Sequence, residues 1–313
     1  MRFLRFCAFM LLAACNADPS APDAAAPADG WRLEPEGDLN TFFDCLEERE
    51  IALVSAHRGG PRPGFPENAL ETIRATLAAA PALVEVDVAT SADGVLFLHH
   101  DDTLDRTTTG EGPVAEKSWG EISRLRLQDE AGAVTPYAPA SFADALALTK
   151  DRTIMQVDFK RSTRYEDVVA EINRQGAEDR VILIAYTMAQ AERLHRLAPE
   201  MMISLSVSTQ SELNRAVAAG VPADRLLGFT GIEDPKPRLF SILNGEDVEV
   251  IFGTLGGRDS IDRQIEISGD ESLYATIAGM GADIIATDRP LEAQGALDAA
   301  GRGATAGACG ISR

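Results

Sequence analysis

The chain has 313 residues, 45% of them hydrophobic and 25% charged, a globular composition that excludes disorder throughout and a length that suits one large domain or two average ones. Asp+Glu number 49 against Lys+Arg 29, for a formal net charge of −20. A body this acidic repels nucleic acid and anionic membrane at long range, so any phosphate it handles must be drawn in by a local cation.

Residues 1–14, MRFLRFCAFMLLAA, set Arg2 and Arg5 ahead of a short apolar run that ends in small residues. That is the layout of a secretory signal peptide, and no window reaches the roughly 18 apolar residues of a spanning helix. The next feature, Leu12-Ala13-Ala14-Cys15, resembles a bacterial lipobox, in which the cysteine is lipidated and becomes the mature N-terminus. Residues 15–40, rich in Ala, Pro and Asp, then suit a linker between bilayer and domain. The expectation is an exported protein, lipid-anchored through Cys15 and touching the membrane only there. Cys45 and Cys309 remain in the body, either as one disulfide of an oxidising compartment or as two unpaired thiols. Residues 301–313, Gly/Ala-rich, have the composition of a tail.

From residue 51 the pattern is regular. Short apolar or β-branched runs occur at 51–56, 83–89, 153–159, 181–186, 202–207, 226–229, 248–253 and 282–286. Stretches with helical spacing lie between them, at 67–80, 164–175, 189–197 and 210–219. Alternating strand and helix predicts a parallel sheet with helical crossovers. A further run, 95–99, follows the second strand after too short a loop for a crossover, and is expected as an antiparallel hairpin arm. Eight βα units within residues 41–300 match a single α/β domain of the (β/α)₈ TIM-barrel type, with an insertion at 101–139 over the mouth.

In such a barrel the chemistry lies at the C-terminal strand ends. The first strand ends in His57-Arg58-Gly59, followed by a loop with Pro66-Glu67-Asn68. The second carries Glu85-Val86-Asp87, two carboxylates on one face, with Val84, Val86 and Val88 on the other. A buried unpaired acid pair would cost several kcal/mol, and a bound cation is the natural way to hold it. The hairpin arm delivers His99-His100-Asp101, and the third strand ends with Asp158 and Lys160 on one face.

These stretches, together with the run Asp101-x-x-Leu104-x-Arg106-Thr107-Thr108 and the late segment from Gly281 to Pro290, resemble the glycerophosphodiester phosphodiesterase family over about Leu53 to Leu291. The resemblance implies the same barrel with a hairpin insertion. It implies one divalent cation, Mg²⁺ or Ca²⁺, on Glu85, Asp87 and Asp158, all hard oxygen ligands. It implies a His57/His100 general acid–base pair, with Arg58 and Lys160 assisting at the phosphate and Glu67 at the site edge, orienting a histidine or contacting substrate or metal. The substrate would be a small glycerophosphodiester, cleaved to glycerol 3-phosphate and an alcohol.

Two departures bear on specificity. Many family members carry Glu where this chain has Asp158, and a frequent Trp-Thr-Val-Asn pattern is replaced by Phe252-Gly253-Thr254-Leu255. Related barrels of the sphingomyelinase D and phosphoinositide phospholipase C types share the His/metal/His logic, so a cyclic phosphate product is an alternative. A non-catalytic phosphate-binding lipoprotein is another. An amidohydrolase is disfavoured, because Ser55-Ala56-His57 lacks its His-x-His. His99 should face away from His100. His195 is expected at the surface, Asp101, Arg106 and Thr107 as braces of the His100 loop, and Phe65 and Phe97 as packing.

Overall fold

The computed structural model describes residues 30–313; the expected signal peptide and Cys15 lie outside the described residues. Eight parallel strands close into a barrel: β2 (Leu53–Ala56), β3 (Ala82–Thr90), β5 (Met155–Phe159), β6 (Val181–Ala185), β7 (Met202–Ser206), β8 (Leu226–Phe229), β9 (Glu249–Gly253) and β10 (Ile284–Thr287). Each pairs with its neighbours, and β10 pairs with β2 to complete the ring. The short arm β4 (Leu96–Leu98) runs antiparallel to β3, with Val88 opposite Leu98. Both the strand count and the hairpin are as the sequence predicts.

Crossover helices cover the outside, among them α2 (Leu70–Ala79), α5 (Tyr165–Gln175), α6 (Met188–Leu197), α9 (Ile261–Ser268) and α11 (Pro290–Ala299). The larger core lies between these helices and the outward-facing strand residues, such as Val84, Val86, Val157 and Leu183. A second core fills the barrel itself. Leu53, Leu83, Ile154, Ile182, Met202, Leu227, Ile251 and Ile284 point inward and meet Leu39, Phe42, Phe43 and Leu46 of α1 (Leu39–Glu48). The N-terminal end of the barrel is therefore stoppered by α1, whose first turn is capped by Asp38 accepting from the Thr41 N–H at 3.0 Å.

Both ends of the described residues belong to this floor, which corrects two expectations. Residues 30–40, expected as the end of a linker, contain strand β1 (Arg32–Leu33), and residues 301–313, expected as a tail, contain β11 (Ile311–Ser312); the two strands pair antiparallel. Leu33 and Ile311 are buried in the floor core. Cys45 on α1 is disulfide-bonded to Cys309, with Cα atoms 5.8 Å apart. Few but well-placed apolar side chains hold segments whose overall composition is that of a linker. With floor closed, the opposite end is left for chemistry.

Candidate active site

A cavity of about 170 Å³ opens at the C-terminal strand ends, lined by His57, Glu85, Asp87, His100, Asp158, Lys160 and Tyr186, and deeper by Ser55, Gln156, Ser204, Ile184, Phe229 and Ile251. Its acidic wall follows from strand alternation. Val84, Val86 and Val88 face the helices, so Glu85 and Asp87 point inward, 8% and 1% exposed. Asp158 is in register beside Asp87 on β5. One carboxylate oxygen from each of Glu85, Asp87 and Asp158 lies within 4.8 Å of the others.

Each acid is held from one side. The Arg58 N–H donates to Glu85 Oε2 at 2.8 Å, Asn68 Nδ2 to Asp87 Oδ2 at 2.7 Å, and Lys160 Nζ to Asp87 Oδ1 at 2.8 Å and Asp158 Oδ2 at 2.9 Å. Asp158 Oδ1 is buried without a hydrogen-bond partner. An orphaned buried acceptor costs about 1–3 kcal/mol, so this oxygen marks where a further positive group fits. Three hard oxygens with one unsatisfied acceptor suit a divalent cation such as Mg²⁺ or Ca²⁺. Burial, reinforced by the charge of Asp87, pushes Glu85 up to about 8. Asp87 is held below the usual range because Lys160 and Arg58 outweigh its burial. The pair together cannot ionise freely without a cation between them.

The His57–Gly59 turn explains how the first strand serves this wall. Arg58 and Gly59 both have positive φ, 50° and 84°. A Cβ on Gly59 would stand 2.9 Å from Ile73 Cγ1, so glycine supplies both the conformation and the space. The turn aims the Arg58 N–H at Glu85 and carries His57 over the cavity.

Each active-site histidine has a carboxylate on Nδ1. His57 Nδ1 is 2.6 Å from Asp288 Oδ1, and His100 Nδ1 is 2.6 Å from Asp101 Oδ1. With Nδ1–H given to the carboxylate, each ring leaves Nε2 for other partners. Burial disfavours the His57 cation, but the Asp288 hydrogen bond and the charge of Glu85 outweigh it and raise its proton affinity. Asp288 is correspondingly held low, its burial overcome by the same bond. Asp101 is held low first by its hydrogen bonds from Arg106, then by His100.

Glu67 is not at the cavity. It is buried between two guanidinium groups, with Arg58 Nη1 at 3.0 Å from both its oxygens and Arg106 Nη1 and Nη2 at 2.7 and 2.9 Å. Its carboxylate is saturated by these arginines, so it contacts neither the acid triad nor a histidine directly. It acts through Arg106, which in turn grips Asp101 at 2.7 and 2.9 Å. Arg58 is likewise committed to Glu67, with Nε 3.4 Å from Asp87 Oδ2. His99 turns away from His100, its Nε2–H donating to the Thr103 carbonyl oxygen at 2.9 Å, and stacks on Phe97. Residues without a role in the sequence reading complete the site: Asp288 on His57, Asn68 bracketing Asp87 through its N–H at 3.0 Å and its carboxylate, and Tyr186 Oη donating to Asp158 Oδ2 at 2.9 Å.

The chain is similar to known proteins. Glycerophosphodiester phosphodiesterase 1 of Bos taurus is 40% identical over 83 residues, 26% of this chain and 25% of that protein. The glycerophosphodiester phosphodiesterase of Caldanaerobacter subterraneus subsp. tengcongensis is 27% identical over 164 residues, 49% of this chain and 65% of that protein. The chain thus spans less than two thirds of the length of either relative. The crystal structure of a glycerophosphoryl diester phosphodiesterase from Parabacteroides distasonis superposes with a TM-score of 0.80 at 28% identity, covering 87% of this chain and 95% of that one. The model of the glycerophosphoryl diester phosphodiesterase family matches residues 57–292, from His57 to beyond Asp288, and the chain belongs to that family.

Proposed function

We propose that this protein is a metal-dependent phosphodiesterase that hydrolyses glycerophosphodiesters to glycerol 3-phosphate and an alcohol. The observation that carries the reading is one cavity holding two histidines, each pinned by a carboxylate, against an acid triad with an unsatisfied buried oxygen. Glu85, Asp87 and Asp158 would hold one divalent cation, which when bound supplies positive charge to the phosphodiester oxygens. Lys160, bridging Asp87 and Asp158, adds a second positive charge at the same wall. His100 Nε2 takes a proton from the attacking water as the new P–O bond forms, so that the water oxygen ends in the phosphate of glycerol 3-phosphate. His57, whose proton affinity is raised, gives its proton to the alkoxide as the P–O bond to the leaving alcohol breaks.

Incubation of the purified protein with glycerophosphocholine, with and without chelator, and assay of glycerol 3-phosphate tests the reading. His57→Ala and His100→Ala should each lower kcat about 10²- to 10⁴-fold, the usual worth of general acid–base catalysis. Cation-independent product, or full activity in both variants, would sink it. We further propose export and lipid anchorage through Cys15. The signal-like residues 1–14 support this, as does the Cys45–Cys309 disulfide, which belongs to oxidising compartments. Cys15→Ser should release the protein from membranes, read by fractionation.

A further inference from the structure

The aspartate at position 158 is paired with a neighbour that the proposed chemistry does not use. Tyr186 stands just beyond β6, the strand next to β5, and is 57% exposed. Its Oη nonetheless donates to Asp158 Oδ2 at 2.9 Å. A carboxylate accepts only, so the direction of that bond is fixed by chemistry. The same oxygen takes Lys160 Nζ at 2.9 Å, whereas Oδ1 is buried and has no partner.

Lys160 alone is a poor anchor for this carboxylate. Its ammonium is shared with Asp87 Oδ1 at 2.8 Å, and the Cβ–Cγ torsion of an aspartate is broad. A second donor arriving from the neighbouring strand restricts the carboxylate plane. The tyrosine is itself fixed: its N–H donates to Gln190 Oε1 at 2.9 Å, the side chain that completes the capping box with Thr187 at the start of α6.

We infer that Tyr186 is a positioning residue that fixes Asp158 as a one-oxygen cation ligand, occupying Oδ2 together with Lys160 and leaving Oδ1 free. The inference rests on the reading of the acid triad as a cation site. It makes the α6 capping box part of the support of that site, through Gln190 and the Tyr186 backbone.

Tyr186→Phe keeps the exposed ring and removes only the hydroxyl. Calorimetric titration of the purified full chain with Mg²⁺ and with Ca²⁺, without substrate, reads the cation Kd directly. Outer partners of metal ligands typically contribute 10- to 100-fold in affinity, so Kd should rise about tenfold or more. The melting temperature without cation should be unchanged, because Lys160 still holds Asp158 Oδ2. Wild-type protein that binds cation while Y186F binds it within twofold overturns the inference and leaves the cation site standing. Wild-type protein that binds neither ion overturns both.

Discussion

A histidine serves proton transfer only when its tautomer and direction are fixed, and a carboxylate on Nδ1 does this twice here. The two carboxylates differ in what else they hold. Asp101 is shared with Arg106, which offsets much of its charge, whereas Asp288 accepts from His57 and from the Gly256 N–H at 3.1 Å. Asp288 is itself fixed by its own N–H donating to Asp262 Oδ2 at 2.8 Å. Removing the charge with Asp288→Asn should lower kcat about 100-fold and leave KM nearly unchanged. The pH profile gives the sharper check. His57 must be protonated to act as donor, and Asp288 raises its proton affinity, so activity persists to higher pH with the aspartate in place. The alkaline limb of D288N should move to lower pH; a limb that stays put would remove His57 as the donor. Of this site, His57, His100, Glu85, Asp87, Asp158 and Lys160 are legible in the sequence because each belongs to a short pattern at a strand end. Asp288 is not, since it meets His57 across 231 positions, and nothing local in Thr287-Asp288-Arg289 announces that contact. Glu67 is legible as an acid at the site edge but not in its contacts: two arginines enclose it, and it reaches His100 only through Arg106 and Asp101.

The strands are legible as elements because each keeps a short apolar or β-branched run; Val181–Ala185 and Leu226–Phe229 fall almost where the pattern puts them. The floor is harder to read. Leu39, Phe42, Phe43 and Leu46 have the i, i+3, i+4, i+7 spacing of a helix face, but the segment before them has linker composition. Ala304, Ala308 and Ile311 are buried as well, but one isoleucine in a Gly/Ala-rich stretch does not announce a strand. What fixes these ends is the Cys45–Cys309 bridge, which closes a separation of 264 residues. A crosslink over so long a loop restricts the unfolded chain strongly, and its loss should cost about 2–5 kcal/mol. The double variant Cys45→Ser/Cys309→Ser should therefore unfold at lower urea with kcat unchanged, because the floor lies at the far end of the barrel from His57 and His100. A parallel loss of kcat would show that the floor reaches the active site.

For the whole molecule, the excess of acids has a consequence for stability against pH. Glu249, at the start of β9, is pushed well above the carboxylate range by burial and then by the charge of Asp283 and of Glu47 on α1. Asp283 is pushed up to about 7 by burial, although it accepts the Val250 N–H at 2.8 Å. At the other end burial pushes Glu85 up to about 8. Unfolded, all three ionise near pH 4, so between there and pH 8 the native state holds more protons and stability falls as pH rises. The raised His57 acts in the same direction above its unfolded value. Asp87, Glu67, Asp101 and Asp288, all held low, oppose this only in acid, where their stabilisation is lost as pH falls below about 4. Urea unfolding should thus show highest stability near pH 4 and a progressive loss from there to pH 8, at roughly 1.4 kcal/mol per pH unit for each acid still protonated in the folded protein. Asp283→Asn should remove that residue's own part of the loss, and on the proposed function Ca²⁺ or Mg²⁺ should remove the Glu85 part by binding the ionised triad. These groups lie at opposite ends of the barrel, so the two recoveries should add. Stability that is flat from pH 5 to 8 without cation would mean that these acids are already ionised in the folded protein.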